Sequence, residues 1–284
     1  MKMLSSRQAL EYAQKDLLEA GCDNAHNEAR WMLEELARRF DLARHESLPE
    51  IARNELTNML QRRRQGEPLQ YILGNVDFHE INLQVGSGVL IPRPETELLV
   101  ELAIQLYPGS GCILDLCTGS GAIALALAHQ LPDCRCIVAS DISPEALHWA
   151  EINLRNLQLN NVKLLQSDLF EKLPSDALFS LITANPPYIS SSEFQQLPAL
   201  ITKHEPGLAL LAGSQGLDII IRIIAEAPPF MLHDASIILE IGCTQAAAVQ
   251  QILQQAGWRD IRIEADHAGL ERFAIAKRPL KTAP

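Results

Sequence analysis

The sequence contains no long apolar run, and this absence excludes a membrane-spanning helix. A bilayer requires about 20 consecutive apolar residues, whereas the apolar stretch at 219–224 is interrupted by Arg222. Residues 1–7 also lack the apolar segment of a signal peptide. We therefore expect no membrane partner and a cytoplasmic location.

Cysteine pairs of the C-x-x-C type are missing as well. The six cysteines stand at positions 22, 112, 117, 134, 136 and 243. Cys134 and Cys136 lie in an apolar stretch that predicts a strand, where alternate positions point to opposite faces. We therefore expect reduced, mostly buried thiols rather than a zinc site or a disulfide framework.

Basic residues are fewer than acidic ones. Lys and Arg number 24 against 35 Asp and Glu, which gives a net charge of −11. Proteins that bind nucleic acid usually carry a basic balance or a basic stripe. The charge therefore argues against a nucleic-acid substrate, although a local basic patch is compatible with an acidic total.

The first part of the chain shows helical periodicity. Residues 5–65 predict a small helical bundle in which Ser5 or Ser6 caps the first helix and Gly21 stops it. Arg62, Arg63 and Arg64 are compatible with a docking patch for a partner or with a solvated helix end. We predict a helical N-terminal domain at 1–75, as a candidate for substrate docking, and a hairpin-like linker at 76–92.

The remainder, residues 93–284, alternates between strand and helix patterns. This alternation is typical of a parallel, doubly wound α/β sheet. Two final strands, at 261–265 and 272–276, are joined by a short turn at Gly269 and predict an antiparallel edge. The predicted fold is a seven-stranded, mostly parallel sheet preceded by an all-α domain. The other predicted strands are 112–117, 134–141, 162–168, 178–184 and 236–241, and the predicted helices are 95–106, 121–131, one from Pro144, 219–231 and 246–256.

A strand, a glycine turn and a helix follow one another at 114–121, where the sequence is LDLCTGSG. Glycines let the backbone approach a ligand closely, and a helix N-terminus offers N–H donors to a carboxylate or phosphate. The third glycine of the dinucleotide fingerprint G-x-G-x-x-G is missing. By itself the turn is compatible with a nicotinamide, a flavin or a methyl donor.

Acidic residues end the next two predicted strands. Asp141 stands where a carboxylate can accept both ribose hydroxyls of a nucleoside. Asp168 can accept the exocyclic amine of an adenine. Asp141 also precedes Ser143-Pro144, so helix capping is its alternative role. Two such acids beside a glycine turn favour an adenosine pocket.

The segment Asn185-Pro186-Pro187-Tyr188 follows the apolar run at 178–184. Two prolines lack N–H donors and restrict φ, so neither strand pairing nor a helix can continue through them. The carboxyl ends of parallel strands form the edge of the sheet where ligands bind. The segment therefore presents an amide, rigid carbonyls and an aromatic ring at that edge, unless the prolines only stiffen a loop.

In combination these motifs resemble class I S-adenosylmethionine-dependent methyltransferases, and specifically the release factor glutamine methyltransferase (PrmC/HemK) family. The resemblance covers nearly the whole chain, including the segments 66–74 and 91–97 and His204-Glu205-Pro206. Members of this family methylate the side-chain amide nitrogen (N5) of the glutamine in the Gly-Gly-Gln loop of class-1 peptide chain release factors. The product of the cofactor is S-adenosylhomocysteine.

The resemblance implies a set of cofactor-binding residues. Asp141 holds the ribose, Asp168 with Leu169 holds the adenine, and Asn185 lies at the reacting end. Two positions depart from the family pattern. Cys117 stands where many members have glycine, and a cysteine is tolerable there if its φ is negative. Leu169 stands where some members have a tryptophan that would stack on the adenine. The turn implied to hold the methionine end consists of Cys117, Thr118, Gly119, Ser120 and Gly121.

The resemblance also implies how the substrate amide is held. The side-chain oxygen of Asn185 and the carbonyl of Pro186 accept its two N–H groups, and Pro187 stiffens the segment. Tyr188 packs over the amide with its ring face near the sulfonium. An amide nitrogen is a poor nucleophile, so catalysis rests on orientation. No metal is required by this chemistry.

Three other functions are compatible with parts of the sequence. An adenine-N6 or other nucleic-acid amino methyltransferase can use the same Asn-Pro-Pro-Tyr segment on a flipped base, but the acidic charge and the small helical domain argue against it. A non-catalytic cofactor-binding module need not retain Asn185 and the prolines. A nicotinamide oxidoreductase is disfavoured by the glycine turn.

Overall fold

The computed structural model describes residues 5–42 and 47–280, which divide into two units. The first unit comprises the described part of Met1–Asn75 together with Ala199–His204. The second comprises Val76–Pro198 and the described part of Glu205–Pro284. Among the described residues, every helix is too short or too polar to cross a bilayer.

The first unit is built mainly from four helices. Ser5 caps the first of them in a capping box with Gln8, and Gly21 follows its end with φ +78°. The cap and the stop are therefore those that the sequence predicts. The helices are α1 (Ser6–Glu19), α2 (Ala25–Arg39), α3 (Glu50–Arg64) and α4 (Leu69–Leu73).

Three consecutive arginines at the end of α3 are paired within this unit. Arg63 Nε lies 2.6 Å from Glu28 Oε2, and Arg62 Nη2 lies 2.5 Å from Glu67 Oε1. Arg64 forms an ion pair with Asp16 on α1. The arginines therefore connect α3 to its neighbours, which gives them a structural role inside the helical unit.

The seven-stranded sheet has the strand order β5-β4-β3-β6-β7-β9-β8. The first five strands in this order are parallel, and β9 runs antiparallel to both of its neighbours. A seven-stranded, mostly parallel sheet with an antiparallel edge is thereby confirmed. A separate two-stranded sheet consists of β1 (Asn75–Phe78) and β2 (Ile81–Gln84). The strands of the large sheet are β3 (Cys112–Leu116), β4 (Cys136–Asp141), β5 (Val162–Gln166), β6 (Phe179–Ala184), β7 (Met231–Glu240), β8 (Arg259–Ala265) and β9 (Glu271–Lys277).

Helices alternate with most of these strands, as the pattern predicts, whereas β5 is followed directly by β6 and β8 directly by β9. Proline at the first turn starts two of the helices, because its fixed φ suits that position and no N–H is needed there. The helices are α5 (Pro94–Leu106), α6 (Ala122–Gln130), α7 (Pro144–Asn156), α8 (Ser191–Phe194), α9 (Ala199–His204), α10 (Asp218–Glu226) and α11 (Ala246–Gln255), with 3₁₀ turns at Gly207–Ala209 and Pro228–Phe230.

The predicted boundaries of these elements differ from the observed ones by no more than two residues, except at one place where the difference is larger. The helix expected at 219–231 ends at Glu226, and β7 begins at Met231 rather than at residue 236. Pro228 and Pro229 explain the early end, since neither can donate the N–H that an α-helix would require. Apolar residues stand on both sides of the two prolines, so hydrophobicity alone does not separate the two elements.

The cysteines are free thiols, as the sequence predicts. Only Cys134 is fully buried, however, and Cys243 is exposed. The expectation that the thiols are mostly buried is therefore too strong, because several lie at strand ends rather than in the middle of the sheet.

The strand order places a crevice beside β3 and β6. β6 is the middle strand of the seven, all six of its residues are buried, and β3 lies next to it. The chain leaves β3 towards β4 on one side and returns to β6 on the other, so these strands form a topological switch point. The glycine turn follows β3 and the Asn185 segment follows β6, so both begin at this crevice.

Candidate active site

A cavity of about 230 Å³ lies at the carboxyl ends of the central strands. Most of the predicted site residues line it, namely Cys117, Thr118, Gly119, Ser120, Asp141, Asp168, Leu169, Asn185 and Pro187. Gly121, Pro186 and Tyr188 are not part of its wall. The structure therefore brings together the two predicted ends of the site around one cavity.

Asp115 supports the glycine turn from below. Its carboxylate accepts hydrogen bonds from Thr118 Oγ1 at 2.6 Å, from Thr183 Oγ1 at 2.7 Å and from the backbone N–H of Ala124. Burial raises the pKa of Asp115 to about 7, and these hydrogen bonds act in the opposite direction. The carboxylate thus connects β3, its neighbour β6 and the start of α6.

The turn itself is strained at an unexpected place. Cys117 has φ +55°, so the expectation of a negative φ is wrong. A non-glycine residue in this region costs roughly 1–2 kcal/mol, and such strain is concentrated at functional sites. Gly121 has φ +85°, and a Cβ atom there would lie 2.8 Å from Leu125 Cδ1. The tight passage from β3 into α6 therefore requires a glycine at 121 and tolerates a cysteine at 117.

Asp141 is oriented towards the turn by two backbone donors. Its Oδ2 accepts from the N–H of Gly119 at 2.8 Å, and its Oδ1 accepts from the N–H of Ser143 at 2.9 Å. Burial raises the pKa of Asp141, although these N–H groups counteract it. Ser143, whose Oγ accepts from the N–H of Ala146 at 3.1 Å, is the residue that caps α7. The capping alternative for Asp141 is therefore wrong.

Asp168 and Leu169 lie just beyond β5, which ends at Gln166. Asp168 Oδ1 accepts from Arg222 Nη1 at 2.9 Å, so one carboxylate oxygen is held by an ion pair. The Leu169 side chain is buried, and its φ is +45°. The wall of the same cavity also includes the aliphatic side chains of Ile142 and Ile219.

Asn185 is held by a hydrogen-bonded chain that ends on Glu240. The Nδ2 of Asn185 donates to Thr96 Oγ1 at 3.2 Å, and Thr96 Oγ1 donates to Glu240 Oε2 at 2.7 Å. Tyr188 completes the arrangement, since its hydroxyl donates to Glu240 Oε1 at 3.3 Å. Burial raises the pKa of Glu240 to about 7. Burial and the negative charge of Glu240 raise the pKa of Tyr188.

The backbone beyond Tyr188 is fixed by Gln245. Its Nε2 donates to the carbonyl oxygens of Tyr188 at 2.9 Å and of Gly216 at 3.1 Å. A Cβ atom on Gly216 would lie only 2.3 Å from the Tyr188 oxygen. The two segments can approach this closely only because residue 216 is a glycine.

Comparison with known proteins identifies the family to which this arrangement belongs. Residues 94–206 match the family model of the methyltransferase small domain, and residues 8–74 match that of the PrmC N-terminal domain. The chain is 40% identical to a release factor glutamine methyltransferase of Thermodesulfovibrio yellowstonii over 81% of its length and 84% of the relative. An Escherichia coli protein of the same name is 39% identical, over 78% of this chain and 80% of that one.

The chain belongs to the release factor glutamine methyltransferase family. It is therefore an enzyme of the methyltransferase class. A solved structure, the ribosomal protein L11 methylase of Lactobacillus delbrueckii subsp. bulgaricus, has the same fold with a TM-score of 0.51. It is 22% identical and covers 70% of this chain and 86% of its own.

In this methyltransferase the Tyr188 ring packs against a buried apolar cluster on one face of the sheet. Its hydroxyl lies at Glu240, and the ring is not part of the cavity wall. The predicted packing of the ring over a substrate amide therefore stays a prediction. In the structure, Tyr188 shares its carboxylate partner with Thr96.

A second ion pair shapes the rim of the cavity. Arg93 Nη2 lies 2.6 Å from Glu205 Oε1, and the Glu205 side chain is buried. Arg93 directly precedes α5, which carries Thr96, and Glu205 directly precedes Pro206, which lines the cavity. The pair therefore joins two segments of the wall that are distant in sequence.

Three of these supports are not among the predicted site residues, although the sequence contains a signal for each. Asp115 and Glu240 are acids inside apolar strand patterns, and Thr96 lies within the segment 91–97 that carries the family resemblance. A buried charge is rare unless it is hydrogen-bonded. An acid inside a predicted strand was thus a sufficient signal to search for partners.

Proposed function

We propose that this chain transfers a methyl group from S-adenosylmethionine to the side-chain amide nitrogen (N5) of the glutamine in the Gly-Gly-Gln loop of class-1 peptide chain release factors. The observation that carries the proposal is Asn185, held at the wall of the same cavity as Asp141 and the glycine turn. Relatives about 40% identical bear the name of this activity.

The cavity residues fit the proposed cofactor. The carboxylate of Asp141 accepts from the backbone N–H groups of Gly119, Ser143 and Ile142 and retains acceptor capacity for a ribose hydroxyl. Ser140 Oγ is buried beside the cavity and has no hydrogen-bond partner among the described residues, which suits a polar ligand. When bound, S-adenosylmethionine supplies an electrophilic methyl group on a sulfonium.

The adenine end is proposed to lie between Asp168 and the aliphatic wall. Arg222 occupies Oδ1 of Asp168, so the other oxygen can accept the exocyclic amine. Leu169, Ile142 and Ile219 offer flat apolar contact where some family members have a tryptophan. Contact with these side chains replaces aromatic stacking in this proposal.

The substrate amide is proposed to bind to Asn185 and Pro186. The Asn185 side-chain oxygen and the Pro186 carbonyl accept its two N–H groups, while Pro187 and Tyr188 keep the segment rigid. Orientation of the nitrogen can supply up to about 7–11 kcal/mol of catalysis. Both acceptors also stabilise the positive charge that develops on the nitrogen.

The helical unit is proposed to dock the release factor. We retain the domain proposal of a helical domain at 1–75, a linker at 76–92 and a methyltransferase domain at 93–284. Support comes from exposed apolar side chains on the helices, among them Trp31 and Ile51. We therefore expect Ile51→Glu to raise the KM for the release factor and to leave its kcat unchanged.

The test is transfer of labelled methyl from S-adenosylmethionine to a purified release factor. A factor whose loop glutamine is replaced and a DNA duplex serve as parallel substrates. We expect label on the intact factor only and a loss of about 10²–10³ in kcat for Asn185→Ala, with cofactor affinity retained. Label on DNA would instead identify a nucleic-acid amino methyltransferase, and tight cofactor binding without any transfer would identify a binding module.

A further inference from the structure

Thr96 and Glu240 form a hydrogen-bonded chain with Asn185, and the proposed function assigns neither of them contact with substrate, although Thr96 is part of the cavity wall. Thr96 lies on α5, Glu240 is the last residue of β7, and Asn185 directly follows β6. Thr96 is 3% exposed and Glu240 1% exposed. Such deeply buried polar groups are retained only where hydrogen bonds satisfy them.

The number of hydrogen atoms available in the Asn185–Thr96–Glu240 hydrogen-bonded chain determines which group donates in each bond. A threonine hydroxyl has a single hydrogen, and an ionised carboxylate can only accept. Because Thr96 Oγ1 lies 2.7 Å from Glu240 Oε2, its hydrogen is used in that bond. Only lone pairs remain on Thr96 Oγ1 towards Asn185, 3.2 Å away, so the Asn185 group at this distance must be the NH₂.

This constraint resolves the orientation of an amide that could otherwise turn round. The oxygen and nitrogen of an asparagine side chain are nearly equal in size, and their placement follows from the hydrogen-bond partners. With the NH₂ on Thr96, the oxygen is the group that Asn185 offers to a ligand in the cavity. The N–H group of a substrate amide needs a hydrogen-bond acceptor, and the Asn185 oxygen is that acceptor.

We propose that Thr96 and Glu240 are positioning residues that hold the Asn185 side chain with its oxygen, and not its NH₂ group, directed at the amide to be methylated. The proposal rests on the proposed function, since that function supplies the substrate amide. Tyr188 donates to the other oxygen of Glu240, so the same carboxylate also anchors the end of the Asn-Pro-Pro-Tyr segment.

The charge on Glu240 controls which groups donate in the hydrogen-bonded chain from Glu240 through Thr96 to Asn185. A proton on Oε2 makes Glu240 a donor to Thr96. The Thr96 hydroxyl can then donate its hydrogen to the Asn185 oxygen, which favours the flipped orientation of the Asn185 amide. The groups facing Glu240 are Thr96 and Glu95 on α5, Tyr188, and Arg272 on β9. Burial and the Glu95 charge raise the pKa of Glu240 to about 7, whereas Thr96, Tyr188 and Arg272 oppose this rise. Methyl transfer should therefore increase with pH through neutrality.

The first experiment compares Thr96→Val with Thr96→Ser in single-turnover methyl transfer to a release factor. Valine keeps the shape and removes the hydroxyl, so we expect kcat to fall about 10- to 100-fold, with the KM and the cofactor Kd changed less than about threefold. Serine should restore most of the rate. Ser180→Ala is the matched control, because it removes a buried hydroxyl from the other end of β6, where it donates to the Cys112 carbonyl.

The second experiment measures the rate between pH 5.5 and 8.5. The wild type should show a limb that rises with an apparent pKa near 7, and Glu240→Gln should be slower and lack this limb. A wild-type kcat in Thr96→Val, or an unchanged limb in Glu240→Gln, would overturn the proposal. If Thr96→Val does not fold, the wild-type and Glu240→Gln profiles still decide.

A third measurement separates this proposal from the proposed function. The side-chain NH₂ resonances of Asn185, assigned by their loss in Asn185→Ala, should titrate near pH 7 in the wild type and not in Glu240→Gln. If they do so while no release factor is methylated, the positioning role stands and the proposed function fails. If release factor is methylated and the resonances do not titrate, the positioning role fails.

Discussion

Two buried carboxylates lie beneath the two halves of the site, and they are held in different ways. Asp115 binds Thr118, three positions away, and Thr183 on the adjacent strand. Glu240 binds Tyr188, 52 positions away, and Thr96, 144 positions away. Each satisfies two hydroxyl groups, and each has a partner far away in sequence, since Thr183 is 68 positions from Asp115, but only Asp115 also has a partner within its own turn. The substrate half depends on segments that only the complete fold brings together.

The first expected effect distinguishes the two carboxylates by function. Asp115→Asn replaces an acceptor of three hydrogen bonds beneath the glycine turn, so cofactor affinity should fall about tenfold, the equivalent of 1.4 kcal/mol. Turnover at saturating cofactor should be little changed, which is the reverse of the pattern expected for Glu240→Gln. Isothermal titration for affinity and single-turnover rates would show the difference. Equal losses of affinity in both variants would remove the distinction between the two halves.

The same substitution changes how stability depends on pH. Burial raises the pKa of Asp115 to about 7, so the folded state binds this proton more tightly than the unfolded chain. Its contribution is present in full below about pH 4 and is lost as the pH rises through about 7, by up to about 4 kcal/mol. Urea unfolding between pH 5 and 8 should therefore show a smaller decline in Asp115→Asn than in the wild type. An identical decline would mean that Asp115 is ionised more easily than its burial indicates.

A smaller effect is expected at the turn that Asp115 supports. Gly121→Ala introduces a Cβ atom 2.8 Å from Leu125 Cδ1 at φ +85°, so it should lower the free energy of unfolding by about 1–3 kcal/mol. Gly21→Ala is the matched control, because Gly21 has φ +78° and no atom near the added Cβ. The difference between the two variants in urea unfolding isolates the steric term. A control as destabilised as Gly121→Ala would show that backbone strain alone is responsible.

The smallest effect is expected at the exposed acid of the cofactor half. The pair of Arg222 and Asp168 is about one third exposed on both sides, and such pairs contribute about 0–1 kcal/mol. Arg222→Gln should change the free energy of unfolding by less than about 1 kcal/mol and the cofactor Kd by less than about threefold. A tenfold loss of affinity, measured by titration, would place Asp168 among the groups that depend on a partner as strongly as Asp115 does.

The same contrast explains what the sequence could predict. The glycine turn, Asp141 and the Asn185 segment follow their strands directly, so a correct strand pattern was enough to place them at one edge of the sheet. Thr96 and Glu240 gain their roles through contacts across α5 and β7, and no local pattern encodes such a contact. The positive φ of Cys117 was also out of reach, because it results from Asp115 and Thr118 fixing the turn around it.

The bond between Thr96 and Glu240 also has a consequence for the order in which the site is built during synthesis. A chain that leaves the ribosome from its N-terminus has both hydroxyl partners of Asp115 once Thr183 has been added. The Asn185 segment is then already made, yet its carboxylate anchor is not, because Glu240 and the strands that enclose it are synthesised later. A nascent chain thus contains the hydrogen-bond partners that support its glycine turn before it contains Glu240, which anchors the amide of Asn185 through Thr96. During translation, therefore, the support of the glycine turn is complete before the support of the Asn185 amide.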